Sequence, residues 1–232
     1  MRVILVRHGE TELNARGIYR GKSEVSLSAR GRTQSRAVGR ALRGIILDGI
    51  YTSPLERCQQ TARIIAAGRW RTNVARADEF IDMDFGRWEG MTVLQVKKKF
   101  PKDFEMWVNQ PRKARIRGGE TLDRVRKRAL AGLDRLYKVH TDGTIAIVSH
   151  GVVNKLILCS VLGLTSAGFW RVKQDTGAIN VFEFTPWRAK LLLMNDRCHL
   201  GRIRDVVESI AESSTLAGAS TDDERRYKKW QK

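Results

Sequence analysis

Short apolar runs that end in polar residues recur along this chain, and the first run sets the pattern. Residues 3–6 (VILV) are four consecutive apolar side chains, which is typical of a strand buried on both faces of a parallel sheet. Arg7, His8 and Gly9 follow directly. A glycine at the carboxyl end of a strand allows a sharp turn, and open α/β sheets bind ligands beyond these strand ends. The sequence therefore predicts that Arg7 and His8 lie at a ligand-binding edge.

A second apolar run ends in the same way. Residues 144–149 (TIAIVS) predict a strand, and His150 and Gly151 follow it. A single histidine after a strand is more often a packed core residue than a functional one. Two strands that both end in His-Gly are hard to explain by packing alone. We therefore expect two histidines to face one pocket.

The remaining periodicity predicts strands and helices in alternation. Strands are predicted at 49–53, 72–77, 178–184 and 190–194, the last two forming a hairpin. Helices are predicted at 28–47, from Ser53 onward, at 93–100, 103–108 and 152–162, and from about 120 to His140, which we expect to be exposed. The first of these helices has Ser28 as N-cap, and its apolar face is predicted to contain Ala37, Val38, Ala41, Leu42 and Ile45.

The helix that follows residues 49–53 carries a candidate site residue. Ser53, Pro54 and Glu56 match an N-cap, a first-turn proline and a capping-box acid, so Arg57 is predicted on the first turn. This turn begins at the carboxyl edge of the sheet, beside His8. The apolar stripe of the helix excludes Arg57, so its side chain points elsewhere, and the crevice is within its reach. A solvated surface charge is the alternative.

Composition and charge limit the classes of protein. The 232 residues and 26.4 kDa fit one large domain, or one domain with an appendage, and 42% of the residues are hydrophobic. No apolar run approaches the ~20 residues that span a bilayer, and the first residues do not resemble a signal peptide, so we expect a cytoplasmic protein. The net charge of +18 would attract nucleic acid or a phosphorylated small molecule.

The three cysteines do not indicate a metal site. Cys58, Cys159 and Cys198 have no zinc-site spacing, and no metal site is expected.

An acidic loop stands out against this positive charge. Residues 78–90 contain five carboxylates, among them Glu79 and Asp82. A carboxyl group near a cationic phosphate pocket can deliver a proton if burial favours its protonated form. Most acids in such a loop are expected to be solvated.

Five motifs in order carry a resemblance to a known family. LVRHGET followed by Asn14, then YTSPLERCQQTA, DFGRWEG, GGETL and IVSHG, resemble the histidine phosphatase superfamily, the phosphoglycerate mutase-like clan, over residues 1–200. The stretches EMWVNQPRKARIRGGETL and MNDRCHL are similar to its small metal-independent phosphatases, which include phosphoserine and α-ribazole phosphate phosphatases. The resemblance implies a three-layer α/β/α sandwich with a mostly parallel sheet. It also implies a phosphatase that forms a phosphohistidine and needs no cofactor.

The resemblance assigns roles residue by residue. His8 would be the nucleophile, and Arg7, Arg57 and His150 would bind the transferring phosphoryl oxygens. Asp82 would be the general acid. The rest of the substrate rim would be Asn14, Arg20, Gly21 and Gly151.

Two positions depart from the family pattern. The general acid of the family is usually a Glu, whereas position 82 is an Asp, and Glu79 is the competitor if the loop register shifts. The phosphoserine-specific members carry a His where this chain has Phe85, so the substrate stays open. There is no room between Asp82 and His150 for the long insert of the mutases, which favours hydrolysis over phosphoglycerate mutase activity.

Partners and domain limits complete the expectations. We expect a small phosphorylated metabolite as substrate and no membrane, and we leave a homodimer open. A basic nucleic-acid-binding protein on an idle scaffold is the less favoured alternative. Residues 1–200 are predicted to form the catalytic domain, and residues 201–232 a polar extension that is flexible or packs on the domain or on a partner subunit.

Overall fold

The computed structural model describes residues 1–69 and 72–201. The strands are β1 (Arg2–Arg7), β2 (Gly49–Thr52), β3 (Val74–Arg76), β4 (Thr144–Ser149), β5 (Ile179–Thr185) and β6 (Arg188–Asp196). The helices are α1 (Glu12–Ala15), α2 (Ala29–Ala41), α3 (Glu56–Ala66), α4 (Val93–Lys99), α5 (Pro101–Asn109), α6 (Leu122–Val139) and α7 (Gly151–Val161). Short 3-10 turns lie at Asp78–Phe80, Gly86–Trp88, Ser166–Arg171 and Cys198–Leu200. The predicted extension lies outside the described residues except for Gly201, so it stays a prediction.

The six strands form one mixed sheet in the order β3-β2-β4-β1-β5-β6. The pairs β3-β2, β2-β4 and β4-β1 are parallel, and the β5-β6 hairpin adds two antiparallel strands at one side. In the β1-β4 pair Arg7 lies opposite Ser149. Since His8 and His150 are the next residues of these adjacent strands, the register itself brings the two histidines together.

Both faces of the sheet are covered by helices, which makes three layers. Along β1, Val3 and Leu5 pack into a core with α6 and α7, whereas Ile4 and Val6 pack into a second core with α2 and α3. Strand side chains alternate between faces, so a continuous apolar run supplies both cores. The predictions of a doubly buried first strand and of a three-layer α/β/α fold are confirmed.

Helix α2 begins as predicted but ends early. The Ser28 hydroxyl accepts a hydrogen bond from the Gly31 amide (3.0 Å), which confirms the N-cap. The helix ends at Ala41, and the chain then turns through residues 42–46 toward β2. The prediction that Ala41 and Ile45 face the core is wrong: both are exposed, Ala41 as the last residue of the helix and Ile45 in the turn that follows it.

Two other local predictions are wrong where residues that are distant in sequence come into contact. Helix α3 begins at Glu56 with Leu55 as N-cap, and the Ser53 hydroxyl contacts both the Leu55 amide (3.4 Å) and the His150 ring (2.7 Å). His140 is only partly exposed, since its Nε2 atom lies 2.6 Å from the Tyr51 hydroxyl. None of the helices in the described ranges is long and apolar enough to cross a membrane.

Candidate active site

A cavity of about 310 Å³ opens where β1 and β4 end. Of the predicted site residues, five line it: Arg7, Asn14, Arg20, Asp82 and Gly151. His8, Arg57 and His150 form a fully buried layer that touches the lining residue Asp82 through Arg57 and His150. The structure therefore brings these predicted residues to one place, from five separate segments of the chain.

His8 is held with one ring nitrogen occupied and the other open. Its Nδ1 lies 2.6 Å from the Gly9 carbonyl oxygen, so Nδ1 carries the proton and donates to it. The buried Nε2 has no hydrogen-bond partner among the described residues. Burial, and then the positive charges of Arg57, Arg20 and Arg7, hold the His8 pKa well below its usual value. The imidazole is therefore neutral, with a free lone pair on Nε2.

Gly9 is needed here for a reason other than the predicted sharp turn. A Cβ atom at Gly9 would lie 2.3 Å from the Gly31 carbonyl oxygen at the start of α2. The backbone of this residue does not adopt a positive φ. The close approach of α2 to the end of β1, and not unusual dihedral angles, is what excludes a side chain and fixes the carbonyl that binds His8.

His150 lies beside His8, with the ring centroids 5.2 Å apart. Its Nδ1 accepts a hydrogen bond from Arg57 Nε (3.2 Å), so in the neutral ring Nε2 carries the proton and donates to the Ser53 hydroxyl (2.7 Å). Burial, followed by the charge of Arg57, lowers the pKa of His150 well below its usual value. Ser53 is a residue that the sequence reasoning assigned only to helix capping.

Arg57 connects the buried layer to its surroundings through hydrogen bonds. Besides His150, its guanidinium donates to the Ser23 carbonyl (2.8 Å), the Gly21 carbonyl (2.8 Å) and Asp82 Oδ2 (3.1 Å). The side chain is fully buried, although it begins on the first turn of α3. Four of its five N–H donors are used in this state. The alternative of a solvated surface charge is therefore wrong, and Arg57 reaches the two histidines from within the protein without lining the cavity itself.

Arg7 and Arg20 add two cations with unused donors. Arg7 Nη1 donates to the Gln174 carbonyl (2.5 Å), while the buried Nε atoms of Arg7 and Arg20 have no partner among the described residues. Burial lowers the pKa of Arg7, and burial together with the charge of Arg7 lowers that of Arg20 to about 9. Buried donors that lack an acceptor are costly, so this wall favours an anion that supplies acceptor oxygens.

Two carboxylates competed for the role of general acid, and they lie in different places. Asp82 is buried, accepts from Arg57 and from the Met83 amide (3.0 Å), and lines the cavity. Glu79 forms a two-bonded ion pair with Arg135 on α6 (2.6 and 3.1 Å), which lowers the Glu79 pKa. Of the two, Asp82 is the one in contact with His150 (3.5 Å) and Arg57 (3.1 Å).

Of the remaining predicted rim residues, two line the cavity and one positions Arg57. Asn14 uses its Oδ1 to accept from the Thr11 amide and hydroxyl, which leaves its amide N–H groups for the cavity. Gly151 begins α7 and packs against Arg7, since a Cβ there would lie 3.3 Å from the Arg7 guanidinium carbon. Gly21 is not part of the wall, and its carbonyl instead positions Arg57.

The outer part of the cavity is aromatic and was not predicted from the sequence. Its wall includes Tyr19, Phe85, Trp107, Phe169 and Trp170. Lys155 projects from α7 and lies 4.6 Å from the ring centroids of Phe169 and Trp170. A lone lysine in the otherwise uncharged helix GVVNKLILCSV was the available signal. In the part of the chain that the structure describes, no group of three or more His, Cys, Asp or Glu side chains could hold a metal ion.

Comparison with known proteins places this geometry in a family. The sequence profile of the "Histidine phosphatase superfamily (branch 1)" matches residues 3–197. Phosphoserine phosphatase 1 of Hydrogenobacter thermophilus is 37% identical over 87% of this chain and 95% of its own length. Adenosylcobalamin/alpha-ribazole phosphatase of Escherichia coli is 29% identical over 85% and 97%.

A solved structure extends the likeness to three dimensions. The phosphoserine phosphatase of Entamoeba histolytica, crystallised as a His-to-Ala mutant with phosphoserine, superimposes with a TM-score of 0.78. It is 26% identical and covers 86% of this chain and 99% of its own. The profile match over nearly all of the described residues and the 37% identity agree with the fold. The chain belongs to the histidine phosphatase superfamily.

Proposed function

We propose that this protein hydrolyses small phosphomonoesters through a phosphohistidine on His8, without a metal ion. The observation that carries the proposal is the state of the His8 ring. Its Nδ1 is committed to the Gly9 carbonyl, its Nε2 is unpartnered, and its pKa is far below the usual value. A neutral imidazole with one free lone pair at the base of a cationic cavity is an activated nucleophile for phosphorus. The phosphatase names of the relatives support the same reaction class.

The first step is attack of His8 Nε2 on phosphorus, with cleavage of the bond to the ester oxygen. Negative charge develops on the equatorial phosphoryl oxygens, and Arg7, Arg20 and Arg57 are positioned to stabilise it. His150 lies beside His8, so a bound dianion favours its protonated form, whose positive charge offsets part of the charge on those oxygens. These fixed cations supply the charge stabilisation that a metal ion gives in other phosphatases.

The leaving oxygen needs a proton, and Asp82 is the nearest candidate. In this state its Oδ2 is paired with Arg57 at 3.1 Å. A phosphoryl dianion would compete for the same guanidinium and would place a second negative group beside the carboxylate, which favours its protonated form. Asp82 then donates that proton to the departing alkoxide. Water completes the cycle by attacking the phosphorus of the phosphohistidine while the Asp82 carboxylate takes the proton, which releases phosphate, restores neutral His8 and returns Asp82 to its protonated form.

Hydrolysis is favoured over phosphoglycerate mutase activity. The chain from Asp82 to His150 is occupied by α4, α5 and α6 and their connections, without the long insert that the family resemblance associates with mutases.

We also propose the cytoplasm as the location of the protein, because Cys58 and Cys159 are buried free thiols. We further propose that residues 1–200 form the catalytic domain.

Two histidine variants test the assignment of the nucleophile. His8→Ala should abolish turnover of alkyl phosphates, because it removes the attacking nitrogen. His140→Ala is the matched control, since His140 bonds to Tyr51 outside the cavity lining and should keep its activity. Circular dichroism checks that both variants fold. Substantial turnover by His8→Ala would refute the proposal, and so would loss of activity on dialysis against a chelator that added magnesium or zinc restores.

A further inference from the structure

Lys155 is the one lysine among the residues that line the described cavity. It lies four residues after Gly151 on α7, hence on the same face of the helix. Gly151 packs against the Arg7 guanidinium at the phosphoryl end. Four residues of an α-helix rise by about 6 Å along the helix axis. Lys155 is therefore displaced from the phosphoryl site by about the length of a small leaving group.

The surroundings of Lys155 hold its ammonium group without neutralising it. Two aromatic rings, Phe169 and Trp170, each have their centroid 4.6 Å from Nζ. No carboxylate of the described residues forms an ion pair with it, and the nearby Asp175 pairs with Lys173 instead (3.6 Å). Burial, followed by the charge of Arg7, lowers the Lys155 pKa to about 8. Cation–π contacts position an ammonium group but leave its N–H donors for a ligand.

The charges around the cavity do not balance with a phosphoryl group alone. Four cations face or underlie it: Arg7, Arg20, Arg57 and Lys155. Asp82 is the one carboxylate in the described lining, and both histidines are neutral. A phosphoryl dianion offsets two of the four positive charges, and protonation of Asp82 and His150 in the bound state leaves the excess of positive charge larger. A further negative charge at the Lys155 end would therefore be favourable.

We infer that Lys155 is a specificity-determining residue, which selects phosphomonoesters whose leaving group carries a carboxylate near the ester oxygen. This inference rests on the proposed function, because it concerns the leaving group of the same reaction. The aromatic wall contacts the carbon skeleton, and the ammonium group binds the carboxylate. An ester with a neutral leaving group fills the same space but leaves Lys155 without an anion.

Binding to a catalytically silent protein tests this inference directly. In full-length His8→Ala, calorimetry would compare 3-phosphoglycerate with glycerol 3-phosphate, which differ by a carboxylate in place of a hydroxymethyl group. We expect the carboxylate to tighten binding by roughly 10- to 100-fold, the range of a charge-assisted hydrogen bond. Adding Lys155→Met should bring the ratio of the two affinities close to one, and adding Lys155→Arg should retain part of the preference.

A nearby lysine and the pH supply the controls. Lys173→Met, in the same background, removes a half-exposed lysine outside the cavity lining and should keep the full preference. If Lys155→Met does not fold, the parent protein still provides a test: the preference for 3-phosphoglycerate should fall as pH rises through about 8, where Lys155 loses its charge. The carboxylate stays ionised throughout this range.

The possible failures are distinguishable. A preference that survives Lys155→Met, or the absence of any preference in the parent below pH 7, overturns the inference while His8-dependent hydrolysis can still stand. A Lys155-dependent preference in a wild-type protein that hydrolyses neither ester supports the inference and refutes the proposed function.

Discussion

The inner and outer ends of the cavity hold their side chains in different ways. At the inner end His8, Arg57 and His150 are fully buried and fixed by hydrogen bonds to the Gly9, Gly21 and Ser23 carbonyls and to Ser53. At the outer end Lys155 rests on aromatic rings, and Trp170 is 48% exposed. The inner end is therefore preorganised for one chemical group, the phosphoryl group, whereas the outer end can distinguish leaving groups.

This difference makes kinetic parameters diagnostic. Interactions at the reacting phosphoryl group strengthen in the transition state, so damage to the inner end should lower kcat. Contacts with the leaving group beyond the ester oxygen are similar in the ground and transition states, so damage to the outer end should mainly raise KM. The three variants below test this division in order of expected effect.

Arg57→Met should cause the largest loss. It removes the hub of the inner end and leaves Asp82 buried without its cation. We expect kcat to fall roughly 10³- to 10⁵-fold, the range of arginine residues in phosphoryl transfer, and the free energy of unfolding to drop by about 3–5 kcal/mol. Urea titration and steady-state kinetics measure the two effects. In the double variant Arg57→Met/Asp82→Asn, stability should partly return and activity should not; recovery of activity would contradict the role of Arg57.

Asp82→Asn should affect the chemical step in a substrate-dependent way. Hydrolysis of an alkyl phosphate should slow by roughly 10²- to 10⁴-fold, because its alkoxide needs a proton to leave. The slowing should be much smaller for p-nitrophenyl phosphate, whose leaving group is a weak base. Glu79→Gln is the matched control, since it breaks an ion pair with Arg135 outside the cavity lining. If Glu79→Gln shows the selective loss and Asp82→Asn does not, the general acid is assigned to the wrong carboxylate.

Trp170→Ala should have the smallest effect and a different kind of effect. It removes one of the two rings beneath Lys155 and the hydrogen bond from the indole N–H to the Trp107 carbonyl (2.8 Å). We expect KM for carboxylated esters to rise a few-fold with kcat nearly unchanged, in line with a partly exposed cation–π contact. A fall in kcat that exceeds the rise in KM would show that the two ends of the cavity are not separable.

The same division explains what the sequence could predict. The inner end follows from local patterns: apolar runs predict β1 and β4, and the residues after paired parallel strands must be neighbours. The fold class and the family were predicted from the motifs that resemble the histidine phosphatase superfamily, and both are confirmed. Arg7 lies in the cavity lining, and His8, Arg57 and His150 lie together in the buried layer, while the catalytic roles of all four stay predictions.

The outer end could not be predicted because it depends on tertiary packing. Trp107 and Trp170 are 63 positions apart, and nothing in either local pattern indicates that they meet. Ser53 fits a helix cap by sequence alone, and the contact of its hydroxyl with His150, 97 positions away, has no signal in the local pattern. The early end of α2 similarly reflects the path into β2, whereas the apolar period alone continues to Ile45.

The proposed mechanism has His8 attack phosphorus through Nε2. Brief incubation of the wild-type protein with a ³²P-labelled substrate, followed by quenching in base and peptide mapping, identifies the phosphorylated residue. Alkaline hydrolysis of the labelled peptide and chromatography against the two phosphohistidine isomers then identifies the ring nitrogen. Because Nδ1 is committed to the Gly9 carbonyl, we predict an acid-labile phosphoryl group on Nε2 of His8, absent from His8→Ala. A phosphoryl group on Nδ1 or on another residue, or sustained turnover with no acid-labile label, would contradict it.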